Sequence, residues 1–321
     1  MRCLQHCAQF GQWRGSSGSG FGGLSRSRFH RRWRDTHLGK SGPVAGLCHS
    51  ERYGQGVPTD IVLSPFDIDV RTLIEAAQRA ENAGFDAIWT YDHVSGVVMN
   101  ARSTLDVWVA LTAIACHTER VGIGPLVLNA TTRDPAQLAV AAATLQDLSG
   151  GRLTLGLGAG AGAESPYSRE LKMFRAVLSD APSRRTRVIE SIQFLRALWS
   201  GERQFNGSQI GFAGVDGVLT PQPMPPIIVG ANGPKMAALA GTHADGLNLH
   251  SWQSGLLGLI EVAREAADRA GNHHFEVSLE TPFELHWLDP TSKIRRAFSD
   301  LGIARVQVGW NASIGLDAIA L

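Results

Sequence analysis

The residues of this chain that could do chemistry sit in short polar segments, each following a β-branched apolar run. In "TYDHVSG", Asp92 stands directly before His93. A carboxylate next to an imidazole suits proton transfer, or the binding of a polar atom of a substrate or cofactor. The plainer alternative is a structural histidine at a strand end. "GPLVLNATTRDPAQ" supplies Asn129, Thr131, Thr132 and Arg133 ahead of Pro135, a residue suited to the first turn of a helix. Arg133 could meet a phosphate or carboxylate, or form a rim ion pair. In "GLGAGAGAES", Gly156, Gly158, Gly160 and Gly162 let backbone approach a planar or phosphorylated ligand. The spacing is not the GxGxxG followed at once by a helix that marks dinucleotide sites.

"GANGPKMAALAG" carries the strongest physical signal. Gly230, Ala231, Asn232 and Gly233 leave an apolar run and Pro234 opens a helix. Free N–H groups, the positive end of the helix dipole and nearby Lys235 together suit a phosphate. "HADGLNLHSW" adds Asn248, His250 and Trp252. His243, Asp245, His250 and His286 are candidate ligands for the rival reading, a metallohydrolase. Against it, "LSPFD" after the first strand offers no paired histidine, and His273 and His274 fall in a polar turn at the opposite end. No metal site is expected.

The elements that must position these residues alternate regularly. Strands are expected at 61–63, 87–91, 121–128, 153–158, 227–230, 246–249, 277–286 and 305–309. Amphipathic helices separate them, as in "DVRTLIEAAQRAENAGF", where Leu73, Ile74, Ala77 and Ala80 share one face, Asp69 caps the start and Gly84 the end. The other helices are expected at 106–116, 135–148, 184–199, 234–240, 256–270, 291–301 and 316–321. Eight βα units predict an α/β fold, a (β/α)8 barrel, with a doubly wound open sheet as the competing architecture. In a barrel the segments above all fall at the C-terminal face, where active sites form. Two connections exceed the usual length, 159–183 and the glycine-rich 200–226. The first reads as a lid or cofactor loop and the second as an excursion at the rim.

The formal charge of +1 over 321 residues hides an asymmetry. Residues 1–56 hold eight Arg and one Lys against Asp35 and Glu51, a charge of +7, which leaves −6 for residues 57–321. That acidic body argues against a nucleic-acid partner. Every apolar run is too short for a membrane-spanning helix. The first 56 residues also carry 11 of the 36 Gly and three of the four Cys, with no periodic apolar face. Three readings of them stand: a transit peptide, a nucleic-acid arm on "RSRFHRRWR", and an inert leader ahead of a start at Val57, which a GTG codon can encode. The leader is favoured. Cys116 then remains alone in an apolar run, where it is expected to be buried and unpaired, in keeping with a reducing, cytoplasmic setting.

Five segments in order, "AENAGFDAIWTYDHV", "WVALTAIACHTERVGIGPLVLNATTRDPAQLA", "ATLQDLSGGRLTLGLGAG", "RVIESIQFLRALWSG" and "PPIIVGANGPKMAALAGTHADGLN", resemble the bacterial luciferase-like family of flavin- and deazaflavin-dependent oxidoreductases. The resemblance runs from about residue 61 to 321. It implies a (β/α)8 barrel that holds an FMN or coenzyme F420 ring at its C-terminal mouth. Asp92 and His93 would lie beside the reactive ring edge. Pro125 and Leu126 match a bulge that supports the ring, often through a cis peptide, with Asn129 following. Gly158, Ala159, Gly160 and Glu164 match the ring and tail cradle, and the run Gly230 to Pro234 with Lys235 matches the phosphate loop. Hydride would pass between the ring and a small organic substrate, with His93 handling the proton.

Coenzyme F420 is the favoured cofactor; an FMN-dependent monooxygenase using oxygen and a non-catalytic flavin-binding barrel are the alternatives. Homodimerisation is implied as well. The deazaflavin-dependent sugar-phosphate dehydrogenases of the family carry Trp where this chain has Val97 and Glu where it has Ala161, so their substrate and acid/base roles do not transfer. The last helix is short, which is expected to weaken barrel closure.

Overall fold

Strand and helix alternate from residue 59 onward in the computed structural model, which describes residues 57–284, 289 and 291–319. Residues 1–56, with the three readings attached to them, lie outside the described residues, as does His286. β1 (Thr59–Leu63) leads through α1 (Val70–Ala83) to β2 (Ala87–Thr90), and α2 (Val107–His117) leads to β3 (Gly122–Pro125) and β4 (Leu128–Asn129). After α3 (Pro135–Leu148) and β5 (Leu155–Gly158) comes a long connection holding a short helix, α4 (Arg169–Met173), before α5 (Ala181–Trp199). A small antiparallel hairpin, β6 (Gln204–Asn206) with β7 (Gly211–Ala213), precedes β8 (Ile227–Gly230). Then follow α6 (Pro234–His243), β9 (Gly246–His250), α7 (Leu256–Arg269), β10 (Glu276–Pro282), α8 (Lys293–Asp300) and β11 (Arg305–Trp310).

The helices begin where the sequence supplies an acceptor for orphan N–H groups. Asp69, Asp106, Asp134 and Asp180 each accept from backbone N–H groups in the first turn, and Gly84 closes α1 in the left-handed region at φ 90°.

The main sheet runs in the order β3-β2-β1-β11-β10-β9-β8-β5-β4, with every pair in it parallel. Its two edges, β3 and β4, are pieces of one strand expected to run unbroken. β3 pairs with β2 and β4 with β5, and a parallel bridge between Ile123 and Leu153 joins the remaining gap. The result is a closed (β/α)8 barrel. β11 pairs with β1 over Thr59 to Leu63, and among the described residues two 3-10 turns, Ala312–Ile314 and Leu316–Ala318, stand where a last helix was expected at 316–321.

Side chains alternate between two cores. Ile61, Leu63, Ile88, Val306 and Val308 face the helices and meet Leu73, Ala77, Leu111 and Ile114. Inside the barrel, Val62, Ala87, Trp89 and Leu126 form a smaller cluster, bordered by Tyr91, Val127 and Ile228. Burying such side chains contributes roughly 1.5–3 kcal/mol each. Below this cluster Asp60, fully buried, accepts from Trp89 Nε1 at 2.8 Å and from Arg305 at 2.5 Å.

Glu190 of α5 anchors the hairpin, its two carboxylate oxygens accepting from the Ser208, Gln209 and Ile210 amides and the Ser208 hydroxyl at 2.6–3.1 Å. Cys116 corrects an expectation: it is exposed, because it falls on the face of α2 turned away from the sheet. Among the described residues no helix is long and apolar enough to cross a membrane.

Candidate active site

The mouth of the barrel is built by the strand ends, and the break between β3 and β4 sets its floor. Leu126 turns into the interior cluster, and the next peptide bond, Leu126–Val127, is cis. The expected bulge is therefore present one residue further on, and the residue that projects from it is Val127. A Cβ on Gly158 would lie 2.7 Å from Val127 Cγ2, and one on Gly230 2.9 Å from the same atom. Both strands must be bare for Val127 to sit across them. A Cβ on Gly156 would meet the Pro125 carbonyl oxygen, and Gly160, at φ 62°, lies against the Asn129 side chain. A flat group could rest on Val127, which the bare strands allow to lie across the mouth.

Beside this floor the β8–α6 junction faces the mouth. Ala231 N–H donates to the Asn248 carbonyl at 3.1 Å. The backbone N–H groups of Asn232, Gly233 and Lys235 take no partner among the described residues, no side chain caps α6, and a Cβ on Gly233 would meet nothing within 4 Å. Exposed donors at a helix start, with Lys235 adjacent, fit a phosphate. The residues present thus fit a flavin-type group at both its ring and its phosphate.

The two residues after β2 part company. Asp92 is taken up by Arg133, whose Nε and second guanidinium nitrogen donate at 3.1 and 2.5 Å, and by the Asn129 amide at 3.0 Å. It clamps the end of β2 to the segment after β4, and the Asn129 side chain shapes that segment locally, its Oδ1 accepting from Thr131 N and Oγ1. His93 instead points its Nδ1 at Glu170 Oε1, 2.8 Å away, while Glu170 Oε2 accepts from the Val94 and Ser95 amides at 2.9 and 3.1 Å. Burial pushes the Glu170 carboxyl up, but the hydrogen bonds from His93, Val94 and Ser95 outweigh it and hold the group below the usual carboxylate range. An ionised carboxylate only accepts, so Nδ1 must carry a proton, and neutral His93 keeps an acceptor lone pair on Nε2. The ring lies against Phe66, centroids 5.3 Å apart.

Glu164, expected in the cradle, is exposed, and Glu170 on α4 is the carboxylate brought to the histidine. Sequence reading also passed over Val127, Tyr91 and Glu280. The last two are joined by a 2.6 Å hydrogen bond inside the mouth. Period-two alternation from Trp89 would have turned Tyr91 inward; Glu170 carried no comparable signal.

A cavity of about 450 Å³ opens on the far side of His93, between that residue, Glu170, Trp108 and the start of α3. The metal candidates do not converge. Asp245 lies at the opposite end of the barrel, accepting from Arg196 and from the Ile227 amide, while His250 ends β9 at the mouth. Among the described residues no group of three or more His, Cys, Asp or Glu could hold a metal ion.

A closed (β/α)8 barrel with a split third strand, a mouth floored by Val127 and an acid-anchored histidine defines a class of cofactor-holding barrels. The family model for luciferase-like monooxygenases matches residues 45–304, and the chain belongs to that family. It is 34% identical over 188 residues to the F420-dependent hydroxymycolic acid dehydrogenase of Mycobacterium tuberculosis, covering 58% of this chain and 51% of that protein. Over 196 residues it is 33% identical to the 5,10-methylenetetrahydromethanopterin reductase of Methanolobus tindarius, covering 61% and 52%. The chain thus spans about half the length of these curated relatives. Among solved structures, an F420-dependent secondary alcohol dehydrogenase in complex with an F420–acetone adduct superposes with a TM-score of 0.69 at 21% identity, over 82% of this chain and 97% of that one.

Proposed function

We propose that the protein is an oxidoreductase that moves a hydride between coenzyme F420 and a small organic substrate. The observation that carries this reading is the 2.8 Å hydrogen bond between His93 Nδ1 and Glu170 at a mouth floored by Val127, which Gly158 and Gly230 allow to lie across it. The names of the curated relatives, F420-dependent dehydrogenases among them, favour the deazaflavin over FMN. When bound, the deazaflavin supplies a carbon that accepts or returns a hydride.

The remaining work falls to the chain. Val127 would support the ring, with Leu126 and Pro125 behind it; Gly158 and Gly230 make room for Val127 and Gly160 for the Asn129 side chain, with Ala159 between them at the rim. Asn232, Gly233, Pro234 and Lys235 present N–H groups and a cation to the phosphate. His93 Nε2 takes the hydroxyl proton of an alcohol as its hydride departs, or returns one to a carbonyl in the reverse direction. Asp92 holds the strand ends in place through Arg133 and the Asn129 amide. The 159–183 connection, through Glu170, couples ordering of the lid to the state of the histidine.

Two further points belong to the same reading. α2 and α3 expose Val109 and Val140, next in sequence to Trp108 and Ala141 of the cavity behind His93, which suits a homodimer covering that cavity. An exposed, unpaired Cys116 suits a reducing, cytoplasmic setting.

The test is an absorbance titration of the purified protein with coenzyme F420 and with FMN. Tight binding of F420, followed by its reduction in the presence of an alcohol, is expected. Preference for FMN, or binding of neither, overturns the reading.

A further inference from the structure

The strand ends divide the mouth into two chemically unlike halves. The connections after β4 and β5 carry Arg133, Arg169, Lys172 and Arg175, and the first turns of α5 and α6, which follow β5 and β8, carry Arg184 and Lys235. Those after β1, β9, β10 and β11, residues 64–69, 251–255, 283–292 and 311–319, contain no lysine or arginine at all. They carry Asp67, Asp69, Glu284, Asp289 and Asp317; Asp317 pairs with Arg79 of α1, and Asp67 lies 3.8 Å from Arg102 of the connection after β2. The basic half contains the phosphate cradle. The acidic half is left for whatever else the mouth receives.

At the centre of that half stands Glu280, only 6% exposed. It is in register with His250 on β9 and Gln307 on β11, so the three side chains leave the same face of the sheet, the interior face. Tyr91 donates to Glu280 Oε1 at 2.6 Å. Glu280 Oε2 lies 3.3 Å from His250 Nδ1 without hydrogen-bond alignment. That nitrogen and Gln307 Nε2 are buried and take no hydrogen-bond partner among the described residues. His250 in turn stacks on Trp252, centroids 4.7 Å apart, and the indole is 58% exposed.

A carboxylate offers about four acceptor sites, and the hydroxyl of Tyr91 fills one. The cluster therefore holds unused acceptor capacity on Glu280, unused donors on His250 and Gln307, and an open aromatic face. A hydroxyl group, which donates and accepts at once, satisfies both kinds. Among the described residues Glu280 meets Tyr91 and His250 and pairs with no lysine or arginine, so an anion would meet its charge directly.

We propose that Glu280, with Tyr91 and His250, is the specificity-determining subsite of the mouth, and that it selects an uncharged hydroxyl compound over its phosphorylated or carboxylated counterpart. The proposal rests on the oxidoreductase reading above and adds the substrate class to it.

Matched pairs test it on the cofactor-loaded protein: glucose against glucose 6-phosphate, and 2-propanol against lactate. The kcat/KM of the uncharged member should exceed that of the anion by about 100-fold, the size expected when like charges are brought together in a partly buried site. Glu280→Gln should shrink the ratio about tenfold or more, with the cofactor dissociation constant unchanged. Tyr91→Phe, which strips the carboxylate of its donor and leaves its charge less shielded, should widen the ratio. These opposite signs keep the test open even where one variant folds poorly.

A second readout needs neither cofactor nor turnover. Quenching of Trp252 fluorescence, isolated as the difference between the wild type and Trp252→Phe, should be stronger with caesium than with iodide, and Glu280→Gln should close that gap. A preference for the anionic member, a ratio untouched by Glu280→Gln, no response to either uncharged compound from protein that binds cofactor, or stronger quenching by iodide overturns the proposal. Failure to bind F420 counts instead against the oxidoreductase reading, and the quenching comparison then decides this one.

Discussion

Replacing Glu170 by Gln changes one atom and should invert the chemistry of His93. Three donors converge on the carboxylate: His93 Nδ1 at 2.8 Å, and the Val94 and Ser95 amides at 2.9 and 3.1 Å on the other oxygen. The two amides belong to the backbone and cannot turn into acceptors, so the glutamine must give them its carbonyl oxygen and face Nδ1 with its NH2 group. A donor in that place obliges Nδ1 to accept, and the ring proton moves to Nε2, the nitrogen meant to take the substrate proton. The general-base contribution, about 10²–10⁴ in rate, is forfeited, equivalent to roughly 3–5 kcal/mol of barrier. Cofactor binding uses other residues, so its dissociation constant should not move. Steady-state turnover at saturating cofactor measures the first effect, and 15N NMR of the imidazole reads the tautomer directly. A Glu170→Gln protein protonated at Nε2 whose kcat stays within about threefold of wild type would refute the reasoning, because the base would then lie elsewhere.

The remaining predictions concern stability and the floor of the site. Glu190→Ala removes an acceptor shared by three amides and a hydroxyl; it should cost about 2–4 kcal/mol in denaturant unfolding and speed amide exchange at Ser208, Gln209 and Ile210, and a loss under about 0.5 kcal/mol would contradict this. Burial pushes Asp60 up to about 6, against the opposing pull of Arg305 and Trp89. The fold therefore binds the proton more tightly than the unfolded chain does. Asp60's contribution is full below about pH 4 and is lost as the pH rises through 6, roughly 3 kcal/mol in all, and Asp60→Asn should flatten that slope in urea titrations across the interval. Gly158→Ala should drive its new methyl into Val127 and weaken F420 binding about tenfold or more, and Val127→Ala in the same chain should recover most of the loss. Absence of recovery in the titration would place the damage elsewhere.

What the sequence made legible follows from how local each signal is. Period-two and period-3.6 patterning located the eight strands and the helices between them, because each element buries one face in a single contiguous run. Caps at Asp69 and Gly84 were visible for the same reason, since capping is a contact between residues two to four apart. Patterning did not show the split of the third strand, for Val121 to Leu128 is apolar throughout; only the family resemblance pointed to a bulge at Pro125 and Leu126, and the strand breaks between Pro125 and Leu128. His93 stood out at a strand end, but its partner Glu170 lies 77 residues on, in a connection without periodicity. Asp92 seemed its natural companion in sequence, yet adjacent residues on an extended chain point apart, and Asp92 found Arg133 instead. Cys116 was misjudged because α2 is apolar nearly all round, so composition could not tell its inner face from its outer.

The break between β3 and β4 also makes the cofactor a structural part. The two edges of the sheet belong to one segment, and the cylinder is joined there by a single bridge and the few residues around Val127. A ligand resting on Val127 would span that seam from above, like a keystone over a joint. Occupancy should therefore stiffen the seam before any other part of the barrel, raising stability by about 2.7 kcal/mol when the cofactor stands at 100 times its dissociation constant. Proteolysis and amide exchange at 122–129 would register loading of the site with no substrate present, and a chain short of cofactor in the cell would be lost first through this joint.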